Sequence, residues 1–466
     1  MKLPKVINNF AKIFKNNNFQ LFLVGGAVRD YLLDGKISDY DFASDAKPEE
    51  LKKIFKHVIP VGIEHGTIII LFENEEYEVT TFRSDGIYLD NRHPDNITFV
   101  KTIDEDLKRR DFTINAFAYD VINNKLIDNY NSKKDLKNKI IRAIGIPQER
   151  FNEDALRMLR ACRFASQLNF KIEKKTLNAI IELSRNILKI SVERIREELI
   201  KIMFTKKPSI SLEYMRITGL LKYILPELDN CYGVKQNKFH KYDVYYHNLY
   251  SCDAAQEDNY IIRFAALFHD IAKPNTIREK DDEENENTFY NHEIIGSGMT
   301  YKILKRLKFK NSDIKKITHL VKYHMFYYTS EWTDGAVRRF IRNIGLENLG
   351  DLFKLREADR VGNGMKQGTP EVFLKFQQRI EKILKIDNAF KIKDLDIDGN
   401  LIMKELNLTE GPIIGEILNY LLELVLDEPD LNKKEYLLNK AIEYYNKKKD
   451  YSNKIYGKNP EDLGKF

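Results

Sequence analysis

The sequence predicts an α+β protein, with a small mixed head over residues 1 to about 140 and a helical chain after it. Three observations predict this. The β-rich runs QLFLV (20–24), GTIIILF (66–72) and YEVTTF (77–82) fall in the first part, among two or three helical patterns. From about residue 149 apolar residues recur at helical spacing, as in LRMLRACRFASQL and VERIREELIKIMF, punctuated by Pro208 and Pro226. A chain of 466 residues with 43% hydrophobic content can also bury several cores, so three or four modules are expected rather than one.

Bulk composition narrows the function classes. With 76 Lys and Arg against 70 Asp and Glu the net charge is only +6, so a nucleic-acid surface would have to be a local patch. Cys162, Cys231 and Cys252 form no C-x-x-C pair, which argues against structural zinc and disulfides and for a reducing cytosol. The N-terminal MKLPKVINNFAKIFKNN has Asn and Lys where a secretory signal needs an apolar run. No window reaches the ~18 apolar residues of a membrane span. A soluble cytoplasmic protein without a membrane partner is expected.

The head opens on LVGGAVRDYLLDGKISDYDFAS, residues 23–44. QLFLV reads as a buried strand, Gly25-Gly26 as a tight turn, and AVRDYLL as the helix that follows. Free N–H groups at that helix start favour anions, and Arg29, one turn in from Gly26, adds positive charge, so a triphosphate fits there. Gly35 ends the helix. The next strand is expected to carry Asp39 and Asp41, two apart and therefore on one face, where two carboxylates can share Mg²⁺. That pairing suits two-metal catalysis, with ions roughly 3.5–4 Å apart and a 3′-hydroxyl as nucleophile. Either element alone is ordinary punctuation or a solvated turn. Their order and spacing together, GGxVRD…DxD, resemble the nucleotidyltransferase head of the polymerase-beta superfamily, in particular the tRNA nucleotidyltransferases (CCA-adding enzymes) of the bacterial and eukaryotic class and their poly(A) polymerase relatives. The resemblance implies a catalytic pair Asp39 and Asp41 on Mg²⁺, with tRNA, CTP and ATP as partners.

Farther along, YEVTTFR puts Glu78, Thr80 and Phe82 on one strand face, with Glu78 either a third acid near the metals or a solvent-facing carboxylate. SDGIYLDNRHPDNITFV (84–100) has loop composition. In the family a D-x-R-x-P loop serves the final A addition, and Asp90, Arg92 and Pro94 match it. DLKRRDFTINAFAYD (106–120) sets Arg109, Arg110 and Asp111 before a helix-like run. The resemblance makes RRDFTINA a nucleotide-contacting box, with Arg110 on phosphate and Asp111 on ribose.

EDALRMLRACRF (153–164) is expected to hold Asp154 and Arg157 three apart on a helix, as neighbours that present an acceptor beside donors. Such an edge suits cytosine (N4 amine beside N3) and adenine (N6 amine beside N1). Uracil and guanine invert the order and would leave polar groups unpaired. Arg160 and Arg163 follow at steps of three and drift around the helix by about 60° per step. Arg160 is the better candidate for holding the nucleotide, and Arg163 for bracing the pocket or pairing with an acid. EDxxRxxR also matches the family's templating motif. SVERIREEL (191–199) resembles the next family box and reads as structural, capped by Ser191.

In the helical half, RFAALFHDIAKP carries His269-Asp270, with His247 upstream and His292, His324 and Asp359 downstream. Imidazoles and carboxylates gathered on a helical bundle suit a transition metal. The order H…HD…H…H…D resembles the HD phosphohydrolase superfamily. That implies His247, His269, Asp270 and Asp359 as the basic ligand set, and metal-dependent phosphohydrolysis as an additional activity; His319, five residues from His324, is left out.

Together the resemblances divide the chain into a catalytic head (1–140), a helical neck that templates the nucleotide and binds RNA (141–206), a helical linker (207–240), an HD domain (241–365) and a helical tail region (366–466). From about 430 the tail reads as a helix fraying into disorder. Four rivals remain. A poly(A) polymerase would carry a longer, strongly basic tail. A partial enzyme would add only CC or only A, and the intact 84–100 loop disfavours CC-only addition. An HD-type phosphohydrolase with a vestigial head and a non-catalytic RNA-binding protein are both opposed by intact Asp39 and Asp41.

Overall fold

A computed structural model describes the chain apart from residues 38, 63–65, 86–96, 239, 279–286, 366–370, 387–389 and 457–466. Ile7, Phe10, Ala11 and Phe14, at helical spacing, make Lys5–Asn16 an amphipathic helix whose apolar face is wholly buried. Phe10 packs within 5.5 Å, ring to ring, of Phe42, Phe55, Phe72 and Tyr77. Burying one such ring contributes about 1.5–3 kcal/mol, so this cluster anchors the helix to the sheet.

The strands are β1 (Leu21–Val24), β2 (Asp41–Ser44), β3 (Val58–Gly62), β4 (Thr67–Phe72), β5 (Glu75–Thr81), β6 (Arg83–Asp85), β7 (Ile97–Phe99), β8 (Ala118–Asp120) and β9 (Lys125–Ile127). Seven form one sheet in the order β3-β4-β5-β2-β1-β8-β9, while β6 and β7 pair as a separate hairpin. β1 is buried along its whole length, as its uninterrupted apolar sequence requires of a central strand. β2 runs antiparallel to β1 and parallel to β5, which sets Asp41 in register with Glu78.

The structure corrects three local expectations. β2 begins at Asp41, so Asp39 lies in the bend before the strand, exposed to solvent. Phe82 lies beyond β5 and is fully buried, whereas Glu78 faces outward. The run after Asp111 is a 3₁₀ turn, Thr113–Asn115, followed by β8 rather than a helix. Short apolar runs carry too little period to separate the two, and here the free edge of β1 takes the segment up, pairing Val24 with Ala118.

Beyond the head, helices Pro147–Glu153, Leu156–Leu168, Lys174–Leu183, Val192–Met203 and Pro208–Ile217 lead into a bundle built on Val244–Ala254, Tyr260–Phe268, His292–Arg306, Asn311–Tyr323 and Leu346–Gly362. Arg263, fully buried, ties the two parts together by donating to the carbonyls of Ala255, Met203 and Thr205. Helices Val244–Ala254 and Leu346–Gly362 cross in close contact. A side chain at Gly362 would overlap Ser251, so only glycine allows this approach. His247 and Asp359 lie one turn away on the same two helices. The final helix, Lys434–Tyr456, buries Leu437 and Ala441. No described helix is long and apolar enough to cross a membrane.

Candidate active site

The turn after β1 is built as its glycines suggest. Gly25 adopts φ +66° as the N-cap of helix Gly26–Asp34, and Gly35 closes that helix in the left-handed region. A Cβ on Gly25 would lie 3.1 Å from Arg110 Nη1, so the glycine also lets a cation approach the helix start. Arg29 is buried and already partnered: it forks onto Asp30 at 2.8 and 3.0 Å and donates to Asn115 Oδ1 at 2.7 Å. Its charge is therefore largely balanced within the protein.

Asp41 and Glu78 stand side by side at the acidic edge of the site. Partial desolvation raises the Asp41 carboxyl above its usual range, Arg110 pulls it back, and Asp39 raises it further. Glu78 is likewise raised, by desolvation and then by Asp41. Carboxylates that repel one another beside a cation-rich wall are a chemically suitable seat for a divalent ion.

A residue that sequence reasoning missed holds the two arginines of the RRDFTINA box. Asp106, 1% exposed, accepts from Arg109 at 2.8 and 3.0 Å and from Arg110 at 3.0 Å. Burial pushes its carboxyl up, but Arg110 and Arg109 outweigh that and leave it below the ordinary value. Its place in D-L-K-R-R, three and four residues before the arginines on one helical turn, was the available signal. Asp106→Asn should therefore raise the KM for nucleotide and cost about 1.5–3 kcal/mol of stability, the range for hydrogen bonds to charged groups. Steady-state kinetics and a denaturant melt check both; unchanged KM would refute the clamp.

Asp111 is buried and occupied. It accepts from the Phe112 amide (2.8 Å), Asn115 Nδ2 (3.2 Å) and Arg160 Nε (2.8 Å). Burial pushes its carboxyl up, and Arg160 and Arg157 pull it down further, to a value below the usual range. Arg163 donates to Glu198 and to Gln167, each at 2.6 Å. Its guanidinium lies 4.1 Å from the ring centre of Phe164, which Arg29 and Arg160 also approach at 5.5 and 5.4 Å. The apolar ring thus spaces three like charges that would otherwise crowd.

Asp154 and Arg157, expected as neighbours on one helix, are arranged differently. Asp154 is extended (φ −144°) between helices Pro147–Glu153 and Leu156–Leu168, so it does not share a helix with Arg157. The helix that follows has Ala155 as its N-cap, and the Leu156 amide donates to Asp154 Oδ1 at 3.1 Å. Arg194, from the box read as structural, forks onto Asp154 at 3.2 and 2.7 Å. Arg157 bonds to Glu153 (2.5 Å) and to the carbonyls of Arg150 (3.3 Å) and Arg109 (3.1 Å). Asp154 and Arg157 nevertheless line one cavity of about 470 Å³ with Gly25, Gly26, Asp41, Asp111 and seven arginines, Arg29, Arg109, Arg110, Arg157, Arg160, Arg163 and Arg194. That volume is ample for a nucleotide. Asp90 and Arg92 lie outside the described residues.

Comparison with known proteins agrees with this geometry. Three family models match: the "Poly A polymerase head domain" over residues 21–142, the "RNA and SrmB- binding site of polymerase A" over 169–232, and "tRNA nucleotidyltransferase domain 2" over 298–441. The CCA-adding enzyme of Enterococcus faecalis is 36% identical over 448 residues, 95% of this chain and 98% of that protein. The chain belongs to the CCA-adding enzyme family. That of Pediococcus pentosaceus is 55% identical over 205 residues, 44% of this chain and 52% of its own length. A solved CCA-adding enzyme of Bacillus stearothermophilus, in complex with CTP, superposes with TM-score 0.74 at 26% identity, covering 97% of this chain and 100% of the other. The protein is a tRNA nucleotidyltransferase.

This member of the family also carries a buried histidine-aspartate cluster. His247 Nε2 lies 3.0 Å from His269 Nε2, 3.3 Å from Asp270 Oδ2 and 3.2 Å from Asp359 Oδ1. His269 Nε2 lies 3.3 Å from Asp270 Oδ2 and 3.6 Å from Asp359 Oδ1. The other oxygen of Asp270 faces His292 at 3.2 Å and His324 at 3.7 Å. His269, His292 and His324 each place Nδ1 2.7 Å from the carbonyl three residues back, which assigns the proton to Nδ1 and leaves Nε2 as the ligating atom. Two overlapping groups, His247 with His269 and Asp359, and His269 with Asp270 and His324, have ligand atoms close enough for a metal. Burial alone would lower His269, but Asp270 and Asp359 push it up to about 10. Lys273, 2.6 Å from Asp270, and the half-buried His240 also line the adjoining cavity of about 490 Å³; neither was singled out from sequence. His319 instead donates to the Ile344 carbonyl at 2.7 Å, away from the cluster.

Proposed function

We propose that this enzyme completes the 3′-terminal CCA of tRNA from CTP and ATP, with Mg²⁺ at Asp39 and Asp41 and base choice made by protein side chains. The observation that carries the reading is the single cavity shared by Asp41, the arginines and the Asp154–Arg157 pair. Bound there, Mg²⁺ would activate the attacking 3′-hydroxyl and neutralise the leaving pyrophosphate. Asp39 and Asp41 would hold it, with Glu78 as the neighbouring acid. Arg110, fixed by Asp106, and Gly26 at the helix start would take phosphate oxygens, and Arg160 and Asp111 would hold the sugar and phosphate side. Asp154 would accept the base amine while Arg157 donates to the adjoining ring nitrogen. CTP and tRNA occur in complexes of structural relatives, which supports these partners. The test is single-nucleotide extension of tRNAs lacking one, two or three terminal residues, with each labelled nucleotide alone and in mixtures. Extension by C, C and A with arrest after A is expected; continued A addition would favour a poly(A) polymerase.

The histidine-aspartate cluster supports a second reading, a transition metal held by His247, His269, Asp270 and Asp359 that serves phosphoester hydrolysis. A bound metal would supply a hydroxide nucleophile there. The pair His269→Ala and Asp270→Ala should remove bound metal and any metal-stimulated phosphatase or cyclic phosphodiesterase activity while leaving tRNA extension largely intact, because the two centres use different ligands. Metal analysis, phosphatase assay and a thermal melt check this. A stably folded double variant that cannot extend tRNA would show that the centres are coupled.

A further inference from the structure

Asp154 can serve as a base-reading acceptor only if something sets the number and direction of its free lone pairs. An ionised carboxylate offers about four. Among the described residues three are taken: Oδ1 accepts from the Leu156 amide at 3.1 Å and from Arg194 at 3.2 Å, and Oδ2 accepts from Arg194 at 2.7 Å. One acceptor position remains, on Oδ2. Arg194 is well placed to enforce this, because it rises from the first turn of helix Val192–Met203, which is itself braced against Leu156–Leu168 by the Arg163–Glu198 ion pair. Asp154 and Arg194 both line the nucleotide-sized cavity.

We infer that Arg194 is a specificity-determining positioning residue, which saturates Asp154 Oδ1 so that the carboxylate can accept a single N–H and cannot chelate a base. The inference rests on the template reading above. Its consequence differs among the four bases. Cytosine and adenine each need one acceptor, for the N4 or N6 amine. Guanine presents two adjacent donors, N1–H and N2–H, which fit the two oxygens of an unencumbered carboxylate. Uracil has only N3–H between two carbonyls and gains nothing from a second acceptor. Removing the arginine fork frees one position on each oxygen and lets the carboxylate turn, so guanine is the base that benefits.

The test is extension kinetics of Arg194→Ala, Arg194→Lys and Asp154→Ala with each of the four nucleotides, alongside tRNA affinity and a thermal melt. In Arg194→Ala the preference for CTP over GTP in kcat/KM should fall by about tenfold or more, as expected when one hydrogen bond to a charged group is gained. The KM for GTP should drop, the KM for CTP and ATP rise, and discrimination against UTP stay unchanged. A merely structural role would not improve GTP. Arg194→Lys, whose compact ammonium lacks the bidentate fork, should fall between wild type and alanine, and it decides the matter alone if the alanine variant does not fold. If folded Arg194 variants keep the wild-type ratios while Asp154→Ala loses base preference, this inference is wrong and the template stands. If Asp154→Ala keeps its base preference, the template reading falls and this inference falls with it.

Discussion

Asp39→Ala and Asp41→Ala should each abolish nucleotide addition while tRNA binding survives. A catalytic metal supplies several kcal/mol of transition-state charge stabilisation, and the loss corresponds to roughly a thousandfold or more in rate. Binding of the tRNA backbone would depend on cations rather than on these two carboxylates, so affinity should not follow the rate down. The acidic edge gives the experiment a finer reading. Asp41 shares its strand register with Glu78, whereas Asp39 projects from the bend outside the sheet. Removing Asp41 should therefore also return the Glu78 carboxyl towards its usual range, since Asp41 is one cause of its elevation. Single-turnover extension with labelled CTP, paired with a tRNA gel shift, checks both parts. Retained extension in either variant would remove the metal assignment.

Arg157→Ala should lower both the rate and the selectivity for CTP and ATP over UTP and GTP, with selectivity falling roughly tenfold to a hundredfold, the scale of a hydrogen bond to a charged group. Arg110→Ala is the matched control. Its guanidinium is held by Asp106 beside Gly25, where the proposal puts the phosphates, so it should lose rate without changing base preference. Part of the Arg157 effect on rate is structural, because the side chain also ties the Arg109 and Arg150 carbonyls to Glu153. Base preference, measured as the ratio of kcat/KM values, is therefore the deciding quantity. Full discrimination in Arg157→Ala would show that the protein does not read the base through this edge.

Much of the fold was legible because its signals are local. The Gly25-Gly26 turn, the helix to Asp34 and its stop at Gly35 follow from backbone permissions that neighbouring residues cannot alter. The helical half announced itself by period, as in Leu156–Leu168. What misled was also local in origin. FAYD reads as either element until β1 offers an open edge. EDALR reads as continuous helix until Asp154 is seen extended between two helices.

The sequence by itself pointed to the family, since the residue types and spacings of GGxVRD…DxD, RRDFTINA and EDxxRxxR need no partner to be recognised, and the family they resemble is the one the comparison shows. Tertiary structure alone decided how those groups are committed. Asp106 holds both arginines of its box, Arg160 closes on Asp111 from 49 residues away, and Arg194 meets Asp154 across 40. It likewise brought His247 and Asp359 to 3.2 Å, through a helix crossing that only Gly362 permits. The reason is physical: a motif records which donors and acceptors exist, whereas their free lone pairs, charge balance and burial depend on what the rest of the chain packs against them.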